Sequence, residues 1–178
     1  EQIKFAATHT KLYQMFIYKE LANIAPKHKN AVLVIGNFDG IHLGHQKLID
    51  RAKLLAEKKG VPLGLLTFEP HPRELFRPDD PPFRITPESI KMRRLKKYGL
   101  DFVVSLTFDW EFASQSPASF IETVLRNGLE PSHIFIGYDF RFGQMRKGSH
   151  ADLTGAGFEI TVVEEITDDT GKSFSSSA

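Results

Sequence analysis

Short apolar runs alternate along the chain with longer amphipathic segments. The apolar runs predict β-strands at residues 16–18, 31–35, 63–68, 102–106, 133–136 and 159–163. Between them, apolar residues recur at helical spacing and predict helices at 43–59, from Pro87 to about Tyr98, and from Ser116 to Gly128. This alternation indicates an α/β fold, a Rossmann-like doubly wound parallel sheet with helices on both faces and ligands at the carboxyl ends of its strands.

Capping residues set the expected ends of these helices. The first helix carries its apolar residues on one face, namely Leu48, Ile49, Ala52, Leu55 and Ala56. Gly60 is expected to end that helix, and Gly128 to end the third. Thr86 is expected to cap the second helix, with Pro87 at its first position. The proline-rich residues 77–82 predict an irregular loop.

Composition and charge narrow the class of protein. With 178 residues and 41% hydrophobic content, the chain can bury a sizeable core as one domain. Lys and Arg number 23 against 22 Asp and Glu, and this balance argues against nucleic acid as the main partner. The basic run at residues 91–97 fits a solvated helix face, with nucleic-acid binding as the alternative. Without cysteine there are no disulfides or thiolate metal sites, and no apolar run is long enough to span a bilayer, so we expect no membrane partner and a cytoplasmic location.

The most informative segment joins the strand at 31–35 to the helix at 43–59. Residues 36–46 read Gly-Asn-Phe-Asp-Gly-Ile-His-Leu-Gly-His-Gln. A helix N-terminus offers backbone amides and the positive end of the helix dipole, and both attract anions. Gly40 and Gly44 let the chain approach a ligand closely, and His42 and His45 can face the same side. The arrangement suits a triphosphate and indicates nucleotidyl transfer.

Structural explanations stand beside the functional ones. Paired histidines at a helix start also serve as caps, so His42 and His45 become candidates through their setting between strand and helix. We expect them to stabilise phosphate charge in the transition state rather than to act as nucleophiles. Asp39 is either a turn residue bonded to its own backbone or a ligand of substrate or Mg2+. His71 is either an exposed loop residue or a substrate contact.

A further cluster follows the strand at 133–136. Asp139 is suited to accept hydrogen bonds from a ribose or an adenine amine, and Arg141 or Arg146 to hold a phosphate in a fork geometry. Phe140 and Phe142 either anchor the loop in the core or contact a ligand.

Four segments together carry a resemblance to a known family. They are residues 36–46, residues 67–72 (Thr-Phe-Glu-Pro-His-Pro), residues 136–143 with Arg146 and Gly148, and residues 174–177 (Phe-Ser-Ser-Ser). They look like successive signatures of the prokaryotic FAD synthetase family, whose members usually join an FMN adenylyltransferase module to a riboflavin kinase module. The resemblance implies that residues 15–178 are the FMN adenylyltransferase domain, of the HxGH nucleotidyltransferase type. Residues 1–14 are then an uncharacterised segment, and the kinase domain is absent from this chain.

The resemblance also implies an activity and its residues. AMP would pass from Mg2+-bound ATP to FMN, giving FAD and pyrophosphate. The FMN phosphate is already anionic and attacks in line, so no general base is needed. His42 and His45 would be catalytic. The residues expected to bind ATP are Gly36, Asn37, Phe38, Asp39, Gly40, Gly44, Gly137, Asp139, Arg146, Ser175, Ser176 and Ser177. Those expected to bind FMN are His71, Pro72, Phe140, Arg141 and Phe142, and no residue is assigned as a metal ligand.

The chain departs from the family pattern at two places. The family's terminal motif continues to an arginine that contacts ATP phosphates, whereas this sequence stops at Ala178, so full activity is not expected of it alone. Residues 149–157 leave room for about two helical turns, at about 3.6 residues per turn, where the family has a longer crossover.

Two other functions stay open. One is a different nucleotidyltransferase with the same histidine signature, acting on NMN, phosphopantetheine or a cytidylyl acceptor. The other is a non-catalytic module that binds a flavin or a nucleotide.

Overall fold

The strands form one sheet with every neighbouring pair parallel. A computed structural model describes residues 14–40, 43–80 and 86–164. The strands there are β1 (Phe16–Tyr18), β2 (Val32–Ile35), β3 (Leu63–Glu69), β4 (Phe102–Thr107), β5 (His133–Gly137) and β6 (Ile160–Val163). Their order across the sheet is β1-β4-β3-β2-β5-β6. The predicted strands are confirmed to within one residue at each end.

Helices connect the strands. They are α1 (Leu43–Lys59), α2 (Pro72–Phe76), α3 (Glu88–Leu95), α4 (Trp110–Ala113), α5 (Pro117–Phe120) and α6 (His150–Gly155). A π-helix, Ile121–Leu129, continues α5. Short 3-10 turns lie at Leu21–Asn23, Pro26–His28, Lys96–Tyr98 and Gln144–Arg146. The prediction for α1 is confirmed at both ends, because its continuous amphipathic pattern runs from the motif to Gly60.

Two predicted helix ends are wrong. Pro87, not Thr86, is the N-cap of α3, because the Pro87 carbonyl accepts the first hydrogen bonds of the helix, from the N–H groups of Ile90 and Lys91. The Thr86 backbone N–H is bonded to the Asp39 carboxylate at 2.8 Å. Gly128 does not end its helix, which widens into π turns and runs on to Leu129. Glu130 ends it in the left-handed region, at φ 47°, and donates its N–H to the Leu125 carbonyl.

The sheet separates two hydrophobic clusters, as the doubly wound prediction required. Helices α1 and α3 cover one face, where Leu48, Ile49 and Leu95 pack on alternate residues of the central strands. The α5 and π-helix segment and α6 cover the other face, through residues such as Phe120, Leu125 and Leu153. All four residues of β2 are buried, as expected for a central parallel strand. The fold class is confirmed.

The order in which the chain adds strands to the sheet reverses at β2. The connection through α1 leads from β2 to β3 on one side, whereas β5 pairs with β2 on the other side. A crevice forms at such a switch point outside the carboxyl ends of the strands. Among the helices in the described ranges, none combines the length and apolar character needed to cross a bilayer.

Candidate active site

A cavity of about 840 Å³ opens at the carboxyl ends of the strands. The loops that follow β2, β3, β4 and β5 line it, and so does the first turn of α1. The predicted candidates that it brings together are Gly36, Asn37, Phe38, Asp39, Gly44, His45, His71, Pro72, Gly137, Asp139, Phe140, Arg141, Phe142 and Arg146. His42, Ser175, Ser176 and Ser177 lie outside the described residues.

The loop after β2 has a tightly constrained backbone. Phe38 adopts a left-handed conformation, at φ 52°, with its ring only 1% exposed. A Cβ on Gly36 would approach that ring to 3.1 Å, so glycine leaves the space that the ring fills. Gly40 also has a positive φ, of 56°. Left-handed positions that alternate with right-handed ones are the geometry of an anion-binding nest, and here two left-handed positions stand on either side of Asp39.

Asp39 has a long-range structural role. Its Oδ1 accepts the Thr86 backbone N–H at 2.8 Å, and this contact ties the loop to the start of α3. The sequence interpretation of Asp39 as a turn residue bonded to its own neighbourhood missed this partner, which lies 47 residues away. The carboxylate also faces the His71 ring closely enough to favour its protonated form.

His45 lies in the first turn of α1, on the cavity wall. Its ring is 5.0 Å from the ring of Phe38, centroid to centroid, in a tilted contact. The first turn carries no acidic residue, so nothing there offsets the positive end of the helix dipole. An anion at this position would be attracted by the α1 helix dipole and could contact the His45 imidazole.

His71 caps α2 and is held in one tautomer. Its Nδ1 accepts the Arg73 backbone N–H at 3.1 Å, so in the neutral ring the proton resides on Nε2. Burial lowers the pKa of His71 below its ordinary value, and Lys91 adds to this, although Asp39 opposes it. His71 therefore stays neutral near pH 7 and has an N–H donor. Pro72 occupies the first position of α2.

Lys91 is a feature that the sequence interpretation missed. The basic run was expected to be solvated, yet the Lys91 side chain is only 4% exposed, whereas Arg93, Arg94 and Lys97 are exposed as predicted. The Nζ atom donates to the Asn37 carbonyl and to Thr67 Oγ1, each at 3.0 Å, and forms an ion pair with Glu69. Nothing in the basic run distinguishes the one lysine that has three acceptors around it, because those acceptors come from other parts of the chain.

The loop after β5 is closed by a two-residue bridge. Phe142 and Gly148 exchange both backbone hydrogen bonds, at 3.2 and 2.8 Å. A Cβ on Gly148 would meet the Phe142 ring at 2.6 Å, which explains the glycine. Phe142 is buried against Phe120, at 4.9 Å between ring centroids, so it is chiefly a core anchor. Phe140 is half-buried and stacks on Phe142.

Arginines give the cavity rim a positive character. Arg141 and Arg146 were predicted, and both are exposed on the loop after β5. Arg73 and Arg77, on and just after α2, line the same cavity and were not predicted. Arg146 adopts a left-handed conformation, at φ 55°, next to Met145 with the same φ. Such strained residues often lie where a ligand binds.

An aromatic wall forms the apolar side of the cavity, and sequence interpretation missed it too. Its members are Phe68, Phe76, Phe108, Trp110 and Phe112. Neighbouring rings lie 5.5 to 6.2 Å apart. Phe76 and Trp110 are 50% and 60% exposed, which is unusual for such large apolar side chains. The signal in the sequence is Phe108-Asp-Trp-Glu-Phe112, aromatic at every second position directly after a strand.

A comparison with protein families decides the assignment. The sequence model of FAD synthetase matches residues 24–178. The chain belongs to the FAD synthetase family. This result confirms the resemblance drawn from the motifs.

Two relatives of this FAD synthetase family member carry the name bifunctional riboflavin kinase/FMN adenylyltransferase. The protein of Buchnera aphidicola (subsp. Acyrthosiphon pisum) is 39% identical over 145 residues, which are 82% of this chain and 46% of the relative. The protein of Bacillus subtilis is 38% identical over 159 residues, 86% of this chain and 49% of the relative. The chain therefore spans about half the length of the curated relatives it matches.

A solved structure has the same architecture. It is the crystal structure of a protein named macrolide-efflux protein, from Streptococcus pneumoniae, at a TM-score of 0.74 and 28% identity. The superposition covers 90% of this chain and 54% of that one.

Proposed function

We propose that this chain transfers AMP from ATP to FMN and releases FAD and pyrophosphate. One observation carries the proposal beyond family membership. The lining of the cavity combines a polar side, at the start of α1, with an aromatic side, so it suits a substrate pair with a highly charged end and a flat apolar ring. The names of the two relatives support the same activity.

The polar side is proposed to hold the triphosphate of ATP. Residues 36–39 and the first turn of α1 with His45 line it, so backbone amides and the helix dipole are available there, and His42 is expected beside them from the sequence. These groups are fixed before the reaction, so they stabilise charge at the α-phosphorus as it grows in the transition state. Arg146 and Asp139 complete the proposed contacts to ATP, together with Ser175, Ser176 and Ser177, which remain predictions.

The aromatic side is proposed to hold the isoalloxazine ring of FMN. Trp110 and Phe76 present exposed ring area there, whereas Phe142 has almost none left. Phe142 therefore supports Phe140 rather than stacking on the flavin. With the ring against this wall, the ribityl phosphate extends toward Arg141 and His71, whose Nε2–H can donate to it. The phosphate then attacks the α-phosphorus in line, and alignment supplies most of the catalysis.

Mg2+ is proposed to arrive with ATP. Among the described residues there is no group of three His, Asp or Glu able to hold a metal, and the cavity offers Asp39 and Asp139 as separate carboxylates. This donor set fits Mg2+, which binds through few carboxylates, phosphate oxygens and water. When bound, the ion offsets phosphate charge.

An acceptor assay tests the proposal. The protein is incubated with Mg-ATP and either FMN, NMN or phosphopantetheine, and products are separated chromatographically, for this chain and for a form extended past Ala178. FAD formed from FMN alone is the expected result. An adenylylated NMN or phosphopantetheine without FAD overturns the choice of acceptor. Thermal stabilisation by FMN without pyrophosphate release in either form indicates a binding module instead.

The remaining expectations concern the whole protein. A riboflavin kinase module fused to this domain is proposed from the names of the relatives, each about twice as long as the matched region. The cytoplasmic location and the absence of nucleic-acid and membrane partners stay predictions.

A further inference from the structure

One buried cation, the Lys91 ammonium group, connects the loop that follows β2 with the end of β3. Lys91 Nζ donates to the Asn37 carbonyl in the loop after β2, and it pairs with Glu69 at the end of β3, two residues before His71. Thr67 Oγ1 accepts a bond from Nζ and donates one to the Asn37 carbonyl, both at 3.0 Å. The Asn37 carbonyl therefore receives two hydrogen bonds.

The orientation of the Asn37 carbonyl fixes the direction of the Phe38 N–H. In a planar trans peptide the carbonyl and the following N–H point in opposite directions. Anchoring the Asn37 carbonyl to Lys91 turns the Phe38 N–H away from α3. Phe38 itself is in the left-handed region, at φ 52°, a conformation that a non-glycine residue keeps only when its surroundings fix it.

We propose that Lys91 is a positioning residue that sets the loop of residues 36–40 for the triphosphate of ATP, through the Asn37 carbonyl. This inference rests on the proposed function. Lys91 is not among the residues that line the cavity; it acts through the backbone of the loop that does. The same loop is held a second time from the segment just before α3, where the Thr86 N–H donates to the Asp39 carboxylate, so the loop is fixed at two points.

The burial of Lys91 supports a specific role over simple stability. A buried ion pair is often no more stable than apolar side chains of the same size. Here the three ammonium donors have three acceptors, and one of them is a backbone carbonyl of the motif loop. A methionine is an unbranched side chain of similar size, but it would leave that carbonyl without the cation.

The test compares Lys91→Met with Lys97→Met. Lys97 lies in the next helical turn and is exposed, so its replacement makes the same chemical change without touching the loop. Steady-state kinetics with ATP and with FMN varied separately are expected to show a KM for ATP raised about tenfold or more in Lys91→Met, with the KM for FMN within about threefold of the parent. A variant that only loses folded protein lowers kcat and leaves both KM values unchanged.

A double variant separates positioning from stability. Lys91→Met/Glu69→Gln removes both charges of the ion pair, so thermal stability is expected to recover while the KM for ATP stays raised. Recovery of the KM along with stability overturns the proposal. If Lys91→Met does not fold, Thr67→Val removes one donor to the Asn37 carbonyl and is expected to raise the KM for ATP by a smaller factor. An unchanged KM in Thr67→Val then counts against the role.

The two proposals fail in different ways. If neither this chain nor the form extended past Ala178 makes FAD, the proposed function fails; the Lys91 variants are made in whichever form is active. If the parent makes FAD and Lys91→Met has the kinetics of Lys97→Met, only the inference about Lys91 fails.

Discussion

At the scale of single residues, the sequence predicted His45, Asp39 and His71 as candidates, and all three line the cavity. Each stands in a recognisable setting of glycines or prolines after a strand. It did not identify Lys91, whose burial depends on Asn37, Thr67 and Glu69 meeting it from other elements. Long-range partners of this kind leave no local pattern. The same reason explains why Asp39 was not connected to Thr86.

Replacing His45 by alanine is expected to lower kcat/KM by about 100-fold or more, because a preorganised donor at the phosphates is lost. His45 is half-buried at the cavity wall, so the free energy of unfolding should change little. FAD formation and chemical denaturation measure the two effects. His150→Ala, at an exposed histidine of α6, is the matched control. Equal turnover in the two variants would exclude a catalytic role for His45.

The pH dependence of stability follows from the buried histidines. Burial lowers the pKa of His71 in the folded state below its ordinary value of 6.5, so below that pH the unfolded chain binds protons that the folded chain does not. The free energy of unfolding should therefore fall as the pH drops below about 6.5, and His71→Gln should reduce this dependence. Urea denaturation at pH 7.5 and 5.5 measures it. An identical pH dependence in parent and variant would contradict the shift.

At the scale of elements, the strands were predictable because parallel strands buried on both faces are continuous apolar runs. The helices α2, α4 and α6 were not, since four to six residues are too few to show a helical period. The end of the π-helix was placed wrongly because Gly128 serves another purpose. A Cβ there would lie 3.1 Å from Leu21, so the glycine permits close packing rather than ending the helix.

Glu130 offers a test of that helix end. Its φ of 47° is strained for a residue with a side chain, and glycine adopts it freely. Glu130→Gly should raise the free energy of unfolding by roughly 0.5 to 1 kcal/mol, since the exposed ion pair with Lys29 contributes little. Glu130→Ala removes the same carboxylate but keeps the Cβ, and it should not stabilise. Denaturant midpoints of the three proteins decide the matter.

At the scale of the whole molecule, the doubly wound sheet was predictable from the alternation of strands and helices, and with it the edge at which a ligand binds. The two-sided character of the cavity was not, because the aromatic wall combines a residue of β3 with residues from the two connections that follow β3 and β4. Each aromatic residue alone is indistinguishable from a core residue in the sequence.

Trp110 allows the two sides of the cavity to be probed separately. It is the only tryptophan in the sequence and is 60% exposed at the aromatic wall. FMN should quench its fluorescence in a saturable way, whereas ATP alone should leave the emission nearly unchanged. Trp110→Leu should raise the KM for FMN by about tenfold, because stacking on one base or ring contributes on the order of 1–3 kcal/mol. The KM for ATP should stay unchanged. Quenching by ATP but not by FMN would reverse the assignment of the two sides.

The register of the first strand also has a consequence for synthesis on the ribosome. Among the described residues, strand β1 pairs only with β4, Phe16 lying beside Phe102, and β2 gains its second neighbour only when β5 has been made. A nascent chain therefore exposes β1 without its partner until residues 102–107 have been synthesised. The loop after β5 also lines the cavity beside β2, so that cavity is complete only after β5 has been made.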